Sequence, residues 1–377
     1  MSVNKKIGNL VRLGDYIELC DERNIDGKYT LNDVRGISIE KKFIDTKANM
    51  DDVPLDKYKI VKDGMFAFNV NTARMGEKFA IALCKDETYL VSSIYNVFEV
   101  IDKSILLPEY LYIIFNREEF DRYVRFNSWG SARETFDWSV LCDTQIPLPD
   151  IDTQQKLVDV YNGLKALAEQ NEALTKPLTE ACQAYIVDCK KKYPEVKLGG
   201  YIREFNEQNY KGNFALEDVR GVSIQKKFID TKANMDDVPL DKYKIVKDGM
   251  FAFNVNTARM GEKFAIALCK DETYLVSSIY DVFEVIDKSI LLPEYLYIIF
   301  NREEFDRYVR FNSWGSARET FTYAELCEVS IPMPPIEIQQ AIVDVYNCAE
   351  VAKKIAAEAR ELMKTLCPAL VQRALKG

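Results

Sequence analysis

One stretch of this chain occurs twice, and the repetition constrains the fold more than any other feature. Asp33 to Phe136 returns as Asp218 to Phe321 at a constant offset of 185. Across those 104 positions only three pairs differ: Ile37/Val222, Glu40/Gln225 and Asn96/Asp281. The offset also holds outside the block. RLGDYI (Arg12–Ile17) matches KLGGYI (Lys197–Ile202), and IPLPDIDTQQ (Ile146–Gln155) matches IPMPPIEIQQ (Ile331–Gln340). Seven leading residues and two units of 185 account for all 377. Two copies of one module are joined without insertion or deletion, so both must solve the same folding problem.

A chain of 377 residues exceeds one ordinary core and suits two or more domains. No apolar run approaches the ~18 residues that span a bilayer. The opening MSVNKKIGNL lacks the apolar core of a signal peptide, so a cytoplasmic protein is expected. Nine cysteines occur without a CxxC pair, and Cys84/Cys269, Cys142/Cys327 and Cys182/Cys367 sit in repeat register. Odd in number and scattered, they read as reduced, buried small hydrophobes rather than a disulfide framework. The net charge of −9 argues against a general polyanion binder. It leaves room for a local grip on nucleic acid, since clustering matters more than the sum, and an acidic exterior also suits a basic partner subunit. Histidine is absent. That removes Ser-His-Asp and Cys-His catalysis, His-ligated zinc and the usual neutral-pH general base.

Each unit reads as a mixed α/β body followed by a long helix. A short strand is expected near Leu10–Ile17, then a turn-rich segment with Gly27 as its turn residue. Tyr58–Val61 and Met65–Val70 are β-rich runs broken by Asp63-Gly64, a hairpin signal. Glu77–Cys84 and Thr88–Ile101 add strands. Pro108 opens a helical run toward Phe126, and Gln145–Leu148 forms a last small strand.

From Asp152 to Lys192 the texture changes: one glycine, Gly163, and apolar residues in a 4-3 pattern. Leu157, Tyr161, Leu164, Ala168, Leu178, Cys182, Tyr185 and Cys189 fall in register, with Asn171 and Thr175 in the intervening slots and Leu167 and Leu174 alongside. Asp152 reads as the N-cap, with Gln155 three residues on. Glu337–Lys376 carries the matching stripe of Ile342, Tyr346, Ala349, Ile355, Leu362, Leu366 and Leu370. A helix of ~40 residues spans ~60 Å, and Pro177 and Pro368 are expected to kink or interrupt the two. Each stripe either packs on its own domain or pairs with the other as a coiled coil. Their length and equivalent placement favour the pair, antiparallel if the units are related by a two-fold axis.

Two segments carry candidate chemistry. FNVNTARMG (Phe68–Gly76) offers Asn69, Asn71, Thr72 and Arg74, repeated as Asn254, Asn256, Thr257 and Arg259. Amides and guanidinium are the groups that read adenine and guanine edges. RYVRFNSWGSAR (Arg122–Arg133) supplies Arg122, Arg125, Ser128, Trp129, Ser131 and Arg133, and no carboxylate. Its copy supplies Arg307, Arg310, Ser313, Trp314, Ser316 and Arg318. Basic residues among aromatics and hydroxyls suit phosphate and base contacts. The bland alternatives are a plain hairpin turn for the first and a solvated helix end with a core tryptophan for the second. Lys41 and Lys42 read as surface decoration. No glycine-rich phosphate loop and no Asn-Pro-Pro-Tyr-type methyltransferase motif occurs. The nuclease-like Asp188…Glu195-Val196-Lys197 has no counterpart in the first copy and reads as linker.

These segments together resemble the specificity subunit of Type I restriction–modification systems, over essentially the whole chain. The resemblance rests on Ile146–Tyr161 and Ile331–Tyr346, similar to that family's I-P-L-P-P-x-x-x-Q entry into each conserved helix. VKDGMFAF (Val61–Phe68), VSSIYNVFEV (Val91–Val100), LPEYLYIIF (Leu107–Phe115) and SWGSARETF (Ser128–Phe136) support it. It implies an α/β (α+β) chain with two pseudo-two-fold-related target-recognition domains, 1–150 and 193–335. Two long antiparallel helices, 151–192 and 336–377, would separate them as a coiled coil. It also implies a non-catalytic subunit that reads double-stranded DNA and docks two methyltransferase subunits. Those subunits use S-adenosylmethionine to methylate adenine, and endonuclease–translocase subunits join through them. No metal and no cofactor is expected on this chain.

Members of that family normally carry two dissimilar recognition domains, whereas here the two are nearly identical. Equal readers on a two-fold axis imply a split palindrome, with half-sites roughly one helical turn apart. Competing readings from the residues are a duplicated protein–protein scaffold without DNA, and a subunit that itself cleaves or methylates.

Overall fold

The computed structural model describes residues 10–46, 50, 53–72, 76, 78–130, 134–231, 238–258, 261, 263–315 and 319–374. The chain divides into two compact units, one of Met1–Gln170 with Ile355–Gly377, the other Asn171–Lys354. In the first unit β1 (Leu10–Arg12) and β2 (Ile17–Cys20) are separated by a single 3-10 turn, where one strand was expected. Then come β3 (Arg35–Ile37), β4 (Phe43–Asp45), β5 (Lys59–Val61), β6 (Phe66–Asn69), β7 (Ile81–Leu83), β8 (Tyr89–Val91) and β9 (Tyr95–Val100). Helices α1 (Pro108–Phe115), α2 (Glu118–Phe126) and α3 (Trp138–Asp143) and strand β10 (Gln145–Pro147) follow, then the long α4 (Ile151–Lys192), which enters the second unit at Asn171. The second unit repeats the order, with helices α5 (Pro293–Phe300), α6 (Glu303–Phe311) and α7 (Tyr323–Cys327), then α8 (Ile336–Ala374), which returns to the first unit at Ile355.

The central sheet runs β2-β9-β6-β7, all antiparallel. Strand alternation sends Phe66 and Phe68 to one face and Ala67 to the other. The phenylalanine face packs on α1 and α2, where Phe98 stacks on Phe66 at 4.9 Å and Phe115 meets Phe66 edge-on at 5.5 Å. The alanine face is covered by a thin layer of Val61, Met65, Cys84, Val91 and Val97. Large residues therefore fill the helix side, and small ones let the short strands approach on the other.

The expected hairpin across Asp63-Gly64 does not form. Gly64 has the turn's positive φ of +81°, but β5 pairs with β8 while β6 pairs with β7 and β9. The turn passes the chain from one sheet to another. Pro108 begins α1 as expected, but the run toward Phe126 breaks at Asn116 and Arg117 into two helices.

The joint between body and helix is polar and closed. Gln154 is fully buried. Its Oε1 accepts the Leu107 N–H at 2.9 Å, and its Nε2 donates to the carbonyls of Ile105 and Pro149, both at 2.8 Å. Gln339 repeats this on Leu292, Ile290 and Pro334. One carboxamide thereby satisfies three backbone groups that burial would otherwise leave unpaired. This is the glutamine of the IPLP-type motif. The N-cap of α4 is Asp150 rather than Asp152: its carboxylate accepts the Thr153 N–H and hydroxyl, each at 2.9 Å, whereas Gln155 bonds Asp159.

Both long helices run unbroken through Pro177 and position 368. Pro177 lies on the exposed side, where the carbonyl it leaves free can meet water. In each unit a portion of α4 packs beside a portion of α8. In the first, Tyr161 and Lys165 line one cavity with Arg360, Met363 and Lys364. In the second, Cys182 neighbours Tyr346 and Cys348, while Cys189 and Lys192 share a groove with Ile338. Partners recede along α8 as α4 advances, so the pairing is antiparallel. Buried alanines (Ala349 and Ala352 in one unit, Ala356 and Ala359 in the other) leave room for close approach. Tyr185 and Leu362, expected in the stripes, are 54% and 43% exposed, and Ile186 takes the buried slot instead. Among the described cysteines none is in a disulfide, and Cys348 is exposed rather than buried. No helix among the described residues is long and apolar enough to cross a membrane.

Candidate nucleic-acid interface

The two candidate segments lie some 60 residues apart in sequence and are laced together by backbone hydrogen bonds. Strand β6 ends at Asn69, whose side-chain oxygen accepts the Asn71 N–H at 3.0 Å and turns the chain out of the sheet. The Thr72 N–H then donates to the Glu134 carbonyl at 2.9 Å, and the Phe136 N–H to Val70 O at 2.8 Å. Trp129 and Thr135 exchange both backbone bonds, at 3.1 and 3.0 Å. Gly130, at φ +144°, makes a reversal that a side chain would strain. Phe136 is fully buried and meets Phe79 edge-on at 5.3 Å, fixing the lacing to the core. The second unit repeats each bond, from Thr257 N to Glu319 O through Trp314 and Thr320.

This frame displays some predicted residues and consumes others. Trp129 and Trp314 are 68% and 64% exposed, which excludes the core-tryptophan alternative; Phe126 and Phe311 stand out beside them. Arg122 reaches solvent, held only loosely by Glu118 at 3.9 Å. Arg125 is instead paired with Glu134, as Arg310 is with Glu319 at 2.5 Å. The Ser128 and Ser313 hydroxyls donate to the carbonyls of Val124 and Val309, both at 2.7 Å, and close the helix ends. Thr72 is buried with its hydroxyl on Glu134 O, and Thr257 is buried with no hydrogen-bond partner for its hydroxyl among the described residues. Asn254 turns the second loop as Asn69 does, and Asn256 accepts the Ala258 N–H at 3.2 Å. Arg307 matches Arg122, 3.8 Å from Glu303. Arg74, Ser131, Arg133, Arg259, Ser316 and Arg318 lie outside the described residues.

A positioning group missing from the sequence reading sits beneath the loop. Asp121, on α2, accepts both the Lys41 ammonium and the Phe79 N–H, the latter at 3.0 Å. Lys41 is not surface decoration: it is 4% exposed, in a left-handed backbone conformation at φ +56°. Its carbonyl accepts the Tyr112 hydroxyl at 3.0 Å. Burial pushes its ammonium below the usual lysine range, and Asp121 opposes that shift. The second unit repeats the node with Lys226, Asp306 and Phe264. A strained lysine held by one carboxylate thus ties the chain three residues beyond the first segment to the helix that carries the second. Lys42, by contrast, is exposed as expected.

Two of the three differences between copies have structural readings. Asp281 accepts the Tyr323 N–H at 3.1 Å and lies 3.6 Å from Lys244, on the strand position that pairs with Phe253 at the start of the first segment's second copy. Glu40 pairs with Lys78 at 2.8 Å on the surface just after the first segment, and Gln225 cannot form an ion pair there.

Two α+β bodies, each displaying laced segments with exposed aromatics and arginines and each seated on paired helices, define a recognition module. The family described as Type I restriction modification DNA specificity domain matches residues 9–180 and 199–349, and the chain belongs to it. It is 31% identical over 93 residues to the Type I restriction enzyme MjaIX specificity subunit of Methanocaldococcus jannaschii, covering 24% of this chain and 22% of that one. It is 26% identical over 155 residues to the Type I restriction enzyme HindI specificity subunit of Haemophilus influenzae, covering 40% and 33%. These alignments span between a fifth and a third of the relatives' lengths. The fold is similar to the S subunit of the Type I restriction–modification system from M. genitalium, with a TM-score of 0.60 at 11% identity over 99% of this chain and 98% of that one.

Proposed function

We propose that this chain is a DNA-reading subunit without catalysis of its own, each body reading one half of a bipartite site. The observation that carries the reading is the duplicated frame: an exposed tryptophan and a solvent-facing arginine on segments locked to the core, presented alike in both units. Near-identity of the bodies supports equal half-sites. Antiparallel pairing of α4 with α8, each following its body at the same offset, supports an inverted rather than direct repeat. The helices dock two methyltransferase subunits, which bind S-adenosylmethionine and modify adenine. Endonuclease–translocase subunits join through them, in the cytoplasm.

Within each half, Arg74 and Arg259 read a base edge while Arg122 and Arg307 position phosphates. Arg125 and Arg310, already neutralised by Glu134 and Glu319, contribute less to phosphate binding than the sequence suggests. The test is duplex binding by the purified complex across a salt series. Changing Arg122 and Arg307 to alanine should weaken all sequences alike and flatten the log-affinity slope by about one per arginine. Changing Arg74 to alanine should cost ~1–3 kcal/mol and relax one base position in one half-site only. Unchanged affinity and slope in the first variant would refute the assignment, as would an unchanged motif in the second.

A further inference from the structure

Trp129 sits at the edge of a small three-segment ladder. Thr135 exchanges both backbone bonds with Trp129 on one side. On its other side it faces Asn71, between the Thr72–Glu134 and Phe136–Val70 bonds. Residues opposite one another in such a ladder project to one face, and their chain neighbours to the other. Thr72 and Phe136 are buried, so Asn71, Thr135 and Trp129 belong to the outward face. The second unit repeats the ladder with Asn256, Thr320 and Trp314. Just before it, α2 turns Phe120 and Val124 into the core. Arg122 and Phe126 lie one turn apart on the side left over. Phe126 and its copy Phe311 are 77% and 79% exposed.

Each unit thus holds an indole and a phenyl ring in water on a backbone that hydrogen bonds fix, with an exposed arginine beside them. Aromatic faces for bases and a cation for phosphate form the combination that grips nucleic acid, which favours DNA over a protein as the occupant. In an intact duplex every base covers its neighbours' faces and offers only its edges to the grooves. An indole therefore finds a face to stack on only where a base step opens. Opening sacrifices base stacking, which the indole restores in part, while the bent duplex lies against more of the protein. A ring on a flexible loop would yield to the closed stack; the ladder and the buried Phe136 beneath it resist that.

We infer that Trp129 and Trp314, backed by Phe126 and Phe311, are wedges that each enter one base step of a half-site and kink the duplex. This rests on the DNA-reading role proposed above. With half-sites roughly one helical turn apart, the two kinks point the same way and add. The test uses this chain in complex with its methyltransferase subunits, saturated with a duplex carrying the motif that the complex methylates. Energy transfer between dyes on the duplex ends should report a bend of ~20–90° per wedge. Trp129→Ala/Trp314→Ala should straighten the duplex and weaken its binding on the order of tenfold or more, with circular dichroism unchanged. Trp129→Phe/Trp314→Phe should keep most of the bend. Adenines replaced singly by 2-aminopurine should brighten at an opened step in the unaltered complex and stay dark there in the alanine pair. Brightening that comes from the methyltransferase drawing out its target base should persist in both. An equal bend in the alanine pair would overturn the inference and leave DNA reading intact. So would unchanged duplex binding with loss of the methyltransferase subunits, which would assign the aromatics to a protein contact. An unaltered complex with no preference for its motif would overturn the DNA reading, and the wedges with it.

Discussion

Replacing Asp121 with alanine is expected to lower the unfolding free energy of its unit by about 3–5 kcal/mol, because it strands a buried ammonium without its counter-charge. Lys41 and Asp121 expose only 4% and 13% of their side chains, and no other carboxylate among the described residues is paired with Lys41. The same carboxylate holds the Phe79 N–H, three residues beyond the first candidate segment, so two losses arrive together. They separate in the variant Asp121→Leu with Lys41→Met. Removing both charges should recover most of the stability, since apolar pairs of similar volume often replace buried ion pairs at little cost. DNA affinity should stay depressed, because Phe79 still lacks its acceptor. Chemical denaturation and duplex binding measured on both variants decide the matter. Wild-type stability and affinity in Asp121→Ala would show that the node positions nothing, and full DNA binding in the double variant would show that it acts through stability alone.

The second large effect is expected at the joint. Changing Gln154 to alanine removes three hydrogen bonds from a fully buried carboxamide and leaves the Leu107 N–H and the carbonyls of Ile105 and Pro149 without partners. At about 1–3 kcal/mol for each stranded group, less than additively, the expected loss is about 3–5 kcal/mol. Asp150, at the adjacent helix cap, provides a scale. Its alanine variant should cost about 1 kcal/mol, because it faces water and caps only one helix end. Hydrogen exchange at Leu107 should rise sharply in the glutamine variant and little in the cap variant. Equal effects of the two would mean the glutamine is an ordinary surface contact.

The duplication, the mixed bodies and the long paired helices were legible because they are properties of spacing and repetition. What the sequence hid depends on partners chosen across long separations. The Asp63-Gly64 turn has the right local chemistry, yet its flanking strands find better partners in β8 and in β7 and β9. Lys41 resembles any surface lysine until Asp121, 80 residues on, folds over it. The heptad count put Tyr185 inward, although rotating the stripe by one residue buries Ile186 and leaves the tyrosine hydroxyl in water. Of the candidate site, the tryptophans and Arg122 are exposed on the laced segments. Thr72 and Ser128, chosen for their hydroxyls, spend them on the frame that holds the others in place.

The measurement closest to the central claim is the modification pattern of host DNA when this chain is expressed with its methyltransferase partner. Long-read sequencing should find methylated adenines in one bipartite motif whose two halves are the same bases read on opposite strands around an unread spacer. A motif with unequal halves would contradict equivalent readers, and methylation indifferent to sequence would contradict DNA reading by this chain altogether.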